Sequence, residues 1–253
     1  MPRILITGAS SGFGLATAEL FLTEGWEVIA TMRTPAAHTM AAHDRLHIFP
    51  LDVTDAASIA QTVANAGDVD ALVNNAGVGM LNVLEGVDIA KARELFETNV
   101  LGAMALTQAV LPAMRARRTG VIVNISSSVT LRPFPALSVY SASKAAINAF
   151  TESLALETAQ FGIRTRLVLP GAAPTTAFGK NAVARMGMNV PASYEAFVQD
   201  YVSAMRGSTE KTEAEDVARA VWRAVTEPDS PMRLPAGADA ETIFSQTATQ
   251  ANN

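Results

Sequence analysis

The chain has 253 residues, 49% hydrophobic and 17% charged, with a formal net charge of −5 and no cysteine. That is enough apolar chain for one large globular domain or two small ones, and it is not the composition of a disordered protein. It excludes disulfides, thiolate metal sites and a cysteine nucleophile, and no basic run is dense enough for a nucleic-acid partner.

In chain order, "RILIT" (3–7) reads as a buried strand. It begins so close to Met1 that no signal peptide is evident, which predicts a cytoplasmic protein. The stretch "ITGASSGFGLA" (6–16) carries Gly8, Gly12 and Gly14, with the wide gap first. This is not G-x-G-x-x-G. Gly8 directly follows the strand and Gly14 opens a helix (13–25) that stops at Gly25. Such a loop turns backbone N–H groups and the positive end of a helix toward an anion. Any tight strand-to-helix turn also favours glycine, so the loop alone does not separate a phosphate cradle from a plain turn.

"WEVIAT" (26–31) is a second strand. His38, His43 and His47 follow without a spacing that repeats on one helix face, and are expected as a solvated loop cluster, with no metal. "LHIFPLDV" (46–53) is a third strand, its Pro50 marking an edge or a strand end. Residues 55–67 form a helix with Asp55 as N-cap and Gly67 as stop, and "DALVNNAG" (70–77) is strand four with its turn. A long helix is expected over 91–118, bent near Pro112 and ended by Arg115, Arg117 and Arg118. Strand five is 120–126, a second long helix 139–162, and strand six 163–171. Residues 172–212 look irregular and rich in Met and aromatics, and "SQTATQANN" (245–253) is expected to fray. No apolar run reaches the roughly 18–20 residues of a membrane span.

Strands apolar on both faces, alternating with helices, call for a mostly parallel sheet covered on each side. The expected fold is a doubly wound, Rossmann-like α/β domain spanning 1–253, with a seven-stranded sheet. The excursion at about 172–212 lies past the carboxyl end of strand six, where substrate loops of open α/β folds sit.

"TGASSGFG" (7–14) resembles the T-G-x-x-x-G-x-G loop of short-chain dehydrogenases/reductases, and further landmarks follow in order. They are "LDVT" (51–54), "NNAG" (74–77), "NVLG" (99–102), "NISSS" (124–128), "YSASK" (140–144) and "PGAAPT" (170–175). The resemblance spans nearly the whole chain. It implies that Gly8, Ser10, Ser11, Gly12, Phe13 and Gly14 seat the pyrophosphate. It further implies that Asp52 and Val53 flank the adenine, and that Asn75, Ala76 and Gly77 line the cofactor. Pro170, Gly171, Ala173 and Thr175, with Thr176 adjacent, close over the nicotinamide, with Tyr140 and Lys144 on its ribose side.

A chain preferring NAD usually ends strand two on an acid that grips the ribose hydroxyls. Here that position is Met32, followed by Arg33, whose planar fork suits a 2′-phosphate. Arg33 as an ordinary solvated loop residue is the alternative. NADP(H) is expected over NAD(H).

Tyr140 and Lys144 are four apart on a helix and share a face, and Ser127 lies thirteen residues before Tyr140. This is the Ser-Tyr-Lys spacing of the resembled family. Hydride transfer to a carbonyl leaves charge on oxygen and demands a proton, which a phenol supplies. A neighbouring ammonium and the positive nicotinamide of the oxidised cofactor favour the phenolate, so Lys144 is expected to lower the Tyr140 pKa. Ser127 is expected to stabilise the substrate oxygen, with Ser126 and Ser128 as alternatives one residue away. Asn99, a mediocre helix former, is either a local backbone tie or, as the resemblance implies, a helix bulge anchoring a water and a proton relay through Lys144.

Val78, Gly79, Met80, Val129, Thr130, Ala177, Phe178, Met186 and Met188 are candidate pocket residues and predict an apolar carbonyl or alcohol. Steroid-like, retinoid-like and aryl ketones all fit. Tyr194, Phe197, Tyr201 and Met205 lie near one helical face and either line the pocket or dock a helix. The two long helices resemble a four-helix dimer contact, predicting a homodimer or homotetramer. An epimerase or dehydratase on the same fold, or a regulatory dinucleotide-binding protein without turnover, are the other readings.

Overall fold

Seven strands set the architecture: β1 (Arg3–Thr7), β2 (Glu27–Met32), β3 (Leu46–Pro50), β4 (Ala71–Asn74), β5 (Gly120–Ile125), β6 (Ile163–Pro170) and β7 (Arg233–Ala236). The computed structural model describes residues 1–173, 190–207 and 210–251. All strand pairs are parallel, in the order β3-β2-β1-β4-β5-β6-β7. The helices are α1 (Gly12–Thr23), α2 (Ala56–Ala66), α3 (Ile89–Phe96), α4 (Gly102–Arg117), α5 (Ser138–Thr158), α6 (Glu195–Gly207), α7 (Ala214–Thr226) and α8 (Ala238–Ala251).

Side chains on a strand alternate between faces, so β1 feeds two cores. Ile4 and Ile6 pack with Phe21 of α1 and Val217 and Val221 of α7. Leu5 packs on the other face with Leu106, Val110 and Met114 of α4. All three β1 residues are fully buried, which is why the strand reads as an unbroken apolar run. Pro50 closes the edge strand β3, a place where its missing N–H costs no ladder bond. Asp55 caps α2 by accepting from the Ala57 N–H at 2.8 Å, and Gly67 ends that helix at φ +63°.

One buried polar chain ties the sheet to its helices. Asn74 Nδ2 donates to Asn124 Oδ1 at 2.8 Å and to Thr107 Oγ1 at 3.0 Å, and Asn124 Nδ2 donates to Thr151 Oγ1 at 2.7 Å. A buried donor that loses its acceptor costs its full desolvation. We expect Asn124→Ala to lower unfolding free energy by about 1–3 kcal/mol in urea titrations; no change in midpoint would mean that the network adds nothing.

Three local expectations are corrected. The helix expected over 91–118 is not one piece: it is continuous through Pro112, which lies inside α4, but is interrupted before it. The interruption is a π-turn at Glu97–Leu101, between α3 and α4. The C-terminal stretch is helical through Ala251, because Ala240 and Ile243 are buried and Thr247 Oγ1 donates to the Leu131 carbonyl at 3.3 Å. His47 lies on β3, not in a loop, with Nε2 2.9 Å from Glu27 Oε1. Among the described residues, no cluster of His, Asp and Glu is arranged for a metal, and no helix is long and apolar enough to cross a membrane.

Candidate active site

The glycine loop joins β1 to α1 at the carboxyl edge of the sheet. Gly8 and Gly12 have φ of +67° and +57°, a region L side chains rarely adopt. Gly14 is bare for a different reason: a Cβ there would come 2.5 Å from the Gly8 carbonyl oxygen and from Asn75 Nδ2. The loop is held from β4. Asn75 Nδ2 donates to the Thr7 carbonyl at 2.8 Å, and Thr7 Oγ1 accepts the Asn75 and Ala76 N–H groups at 2.9 and 2.8 Å. Ser11, the N-cap of α1, makes no side-chain cap bond, and the first turn carries no acid. The positive end of α1 is therefore left for an outside anion, as a pyrophosphate requires.

The second part gathers at the ends of β4 and β5 and on α5. Asn99, Ser127, Tyr140 and Lys144 are all buried, none more than 8% exposed. Ser127 and Tyr140 share a side-chain hydrogen bond. Ser126 is spent elsewhere, donating to Asn148 Oδ1 at 2.6 Å, so among the serine alternatives the observed Tyr140 partner is Ser127. Lys144 Nζ donates to the Ile125 carbonyl at 2.9 Å and lies 5.9 Å from the Tyr140 ring centroid. Asn99 sits within the π-turn. Its Oδ1 accepts the Val78 N–H at 2.8 Å, and its Nδ2 donates to the Val78 carbonyl at 2.9 Å and to Ser143 Oγ at 3.2 Å. Ser143 in turn donates to the Tyr140 carbonyl at 2.7 Å. Gly77 faces both: a Cβ there would lie 3.2 Å from Asn99 Oδ1 and 3.6 Å from Lys144 Nζ. The bare backbone at Gly77 keeps that surface open to a ligand.

Burial pushes the Tyr140 phenol well above its ordinary value, and its bond with Ser127 acts the opposite way. Burial pulls the Lys144 ammonium down to about 8. Tyr140 thus moves opposite to the expected lowering by Lys144. The reason is geometric: Nζ is aimed at the Ile125 carbonyl, and burial outweighs the Ser127 bond.

The short chain dehydrogenase family model matches residues 2–186. This chain belongs to that family. It is 38% identical over 239 residues to an uncharacterized oxidoreductase, YusZ, of Bacillus subtilis, covering 88% of this chain and 84% of that protein. A Burkholderia cenocepacia short-chain dehydrogenase in complex with NADP superposes with a TM-score of 0.81 at 26% identity, covering 99% of this chain and 94% of the other. A Burkholderia phymatum family member in complex with NAD gives 0.83 at 25% identity, covering 99% and 93%. The short-chain dehydrogenase fold is thus shared with proteins holding either dinucleotide.

Met32 and Met40 both belong to the buried core cluster of β1, and Arg33 is the first exposed residue past β2. Asp52 Oδ1 accepts from the Thr54 N–H and Oγ1 at 2.9 and 2.7 Å; these bonds, aided by the Arg33 charge, hold its carboxyl below the usual range. Val53 packs against Gly102, where a Cβ would come 2.8 Å from the Val53 carbonyl oxygen. Pro170 ends β6, and Gly171 and Ala173 follow it. Thr175, Thr176, Ala177, Phe178, Met186 and Met188 lie outside the described residues, as does the Met205 side chain. The segment expected to be irregular contains α6, with Phe197 turned to solvent and Tyr201 half-buried near the Arg132 charge. Sequence reading missed Ser143, Ser126–Asn148 and the contacts of Thr212 and Asp239 described below, none of which has a local sequence signal.

Proposed function

We propose that this chain is an NADP(H)-dependent oxidoreductase that interconverts a ketone or aldehyde with its alcohol. We further propose an apolar substrate, a single 1–253 domain, a homodimeric or homotetrameric state and a cytoplasmic location. The observation that carries the reading is the Ser127–Tyr140 hydrogen bond, buried beside Lys144 and Asn99 around the bare backbone of Gly77.

The dinucleotide, when bound, supplies or accepts the hydride and, in its oxidised form, a positive ring. Gly8 to Gly14 hold its phosphates, with Ser10, Ser11 and Phe13 in the same loop. Asp52 and Val53 border the adenine; Asn75, Ala76 and Gly77 form the floor. Asn75 works partly by supporting the loop through its amide. Pro170, Gly171, Ala173 and Thr175 border the nicotinamide. Ser127 Oγ orients the substrate oxygen and stabilises charge growing on it. Tyr140 Oη gives that oxygen its proton in reduction and takes it back in oxidation. Lys144 Nζ would hold ribose hydroxyls and pass protons toward a water anchored at the Asn99 turn, while the Asn99 side chain fixes the turn after Gly77 through Val78. A phenol held above its ordinary value is a reluctant base, so oxidation is expected to run fastest at alkaline pH.

We favour NADP(H) over NAD(H) because strand β2 ends on Met32 and is followed by Arg33, with no acid at either position. We expect Arg33→Ala to lower kcat/KM with NADPH by roughly 10- to 100-fold, the worth of a charge-assisted bond, and to leave NADH use within about twofold. A wild-type preference for NADH, or an unchanged NADPH constant in the variant, overturns the cofactor assignment.

A panel of apolar ketones, aldehydes and secondary alcohols, followed by the absorbance of the reduced cofactor, tests the whole reading. Turnover of at least one class with NADP(H) is the expected result. Tight dinucleotide binding without turnover across the panel would make the chain a dinucleotide-binding protein and defeat the proposal.

A further inference from the structure

The chain leaves the sheet at Gly171 and returns to it at Thr212, and the two ends are joined there. The Thr212 N–H donates to the Ala172 carbonyl at 2.9 Å. Thr212 Oγ1 accepts the Gly171 N–H at 2.9 Å and lies 2.9 Å from the Ala236 carbonyl oxygen and 2.7 Å from Asp239 Oδ1. Asp239, in the first turn of α8, uses its second oxygen, Oδ2, to accept the Ala172 N–H at 2.6 Å. Thr212 is fully buried. Two glycines are explained by this arrangement. A Cβ on Gly171 would run into the Asp239 carboxylate, and one on Gly237, at φ +95°, into the Thr212 hydroxyl. The end of β6, the return at Thr212, the end of β7 and the start of α8 thus meet on one carboxylate and one hydroxyl.

We propose that Asp239, acting with Thr212, is a positioning residue for hydride transfer: it fixes the Gly171–Ala172 backbone and through it the nicotinamide end of the cofactor site. The inference rests on the oxidoreductase reading above. A carboxylate accepting backbone N–H bonds is among the stronger acceptors available, and it leaves Ala172 little freedom. Reacting atoms must meet within a narrow range of distance, and a displacement of about 1 Å can cost about 10²-fold in rate. Gly8 to Gly14 contribute nothing to this junction. Its loss therefore acts on the nicotinamide half of the cofactor and spares the adenosine half.

The test uses the full chain with Asp239→Ala, Asp239→Asn, Thr212→Ser and Thr212→Val. Six quantities are measured: Kd for NADPH, Kd for 2′,5′-ADP as the adenosine half alone, kcat and KM for a carbonyl substrate, amide exchange of the peptide spanning β6 through Ala173, and the unfolding temperature. In Asp239→Ala, 2′,5′-ADP is expected to bind within twofold of wild type, kcat to fall at least tenfold, and exchange at 171–172 to accelerate. Asp239→Asn keeps one acceptor oxygen and falls between. Thr212→Val is expected to behave like Asp239→Ala, whereas Thr212→Ser keeps the hydroxyl and stays within twofold of wild type. The proposal is overturned if NADPH and 2′,5′-ADP weaken equally, if only the unfolding temperature falls while kcat holds, or if Ser rescues no better than Val. Should Asp239→Ala fail to fold, the Thr212 pair decides. A wild-type chain with no turnover defeats the oxidoreductase reading instead, and the ratio of the two Kd values with the exchange rates still decides the positioning role.

Discussion

Tyr140→Phe is expected to lower kcat by about 10²- to 10⁴-fold while dinucleotide binding stays within about twofold. Only one oxygen is removed. The ring remains in its buried position, and the Ser143 bond to the Tyr140 backbone carbonyl is untouched. What disappears is the partner of Ser127 and, with it, the proposed proton donor for the substrate oxygen. The measurement is steady-state kinetics with the best substrate, paired with a fluorescence titration of the cofactor. Near-native turnover in this variant would sink the acid/base role outright. A parallel loss of cofactor affinity would instead mean that the hydroxyl also serves the ribose side of the cofactor, where the family resemblance sets Tyr140.

The second large effect joins activity to stability. Lys144→Met is expected to abolish turnover and yet to stabilise the fold at neutral pH. Burial depresses the Lys144 ammonium from 10.5 to about 8, so the unfolded chain binds a proton that the folded chain releases between those values. Below pH 8 the folded protein carries the full cost of a buried charge. That cost fades as pH rises from 8 toward 10.5, so wild-type stability climbs through the window. At pH 7 it is worth about 3 kcal/mol, already net of the bond to the Ile125 carbonyl. Met, of similar length, avoids it. We expect a gain of about 1–3 kcal/mol at pH 7 in urea unfolding, shrinking as pH approaches 9.5. Tyr140 works the other way only above its ordinary value of 10, since its raised pKa favours the folded state below that point and loses ground beyond it. A less stable Lys144→Met at pH 7 would mean that the ammonium is fully compensated in the fold. Such a trade of stability for chemistry is common where a site must hold a group in an unfavourable place.

The elements legible in the sequence are those that rest on local pattern. Fully buried strands such as Arg3–Thr7 and Gly120–Ile125 announce themselves as apolar runs between turn residues. Gly8, Gly12 and Gly67 mark backbone that only glycine adopts readily, and Asp55 marks a cap. The i, i+4 relation of Tyr140 and Lys144 is equally local. What was not legible depends on distant partners. Pro112 is the obvious candidate for a bend, yet α4 carries it without a break, and the real interruption surrounds Asn99. A π-turn has no strong composition of its own; it is stabilised here by Val78, 21 residues away, and by Ser143. The direction of the Tyr140 shift without the cofactor depends on how deeply the phenol is buried and on where Lys144 Nζ points, which spacing cannot give. Asp239 reads from sequence as an ordinary acid in a first helical turn, and its partners lie 27 and 67 residues away.

The all-parallel strand order has a consequence for how the protein comes into being. No two neighbouring strands are joined by a hairpin, so every pairing waits for a crossover to form first. β1 pairs with β4 across 67 residues, and the site draws on the ends of β1, β4, β5 and β6. A nascent chain still lacking β6 holds the glycine loop, Ser127, Tyr140 and Lys144 but cannot close the sheet that aligns them. Activity is therefore a late event in folding, and its recovery after dilution from denaturant should trail the return of helical signal, as topologies dominated by distant contacts demand.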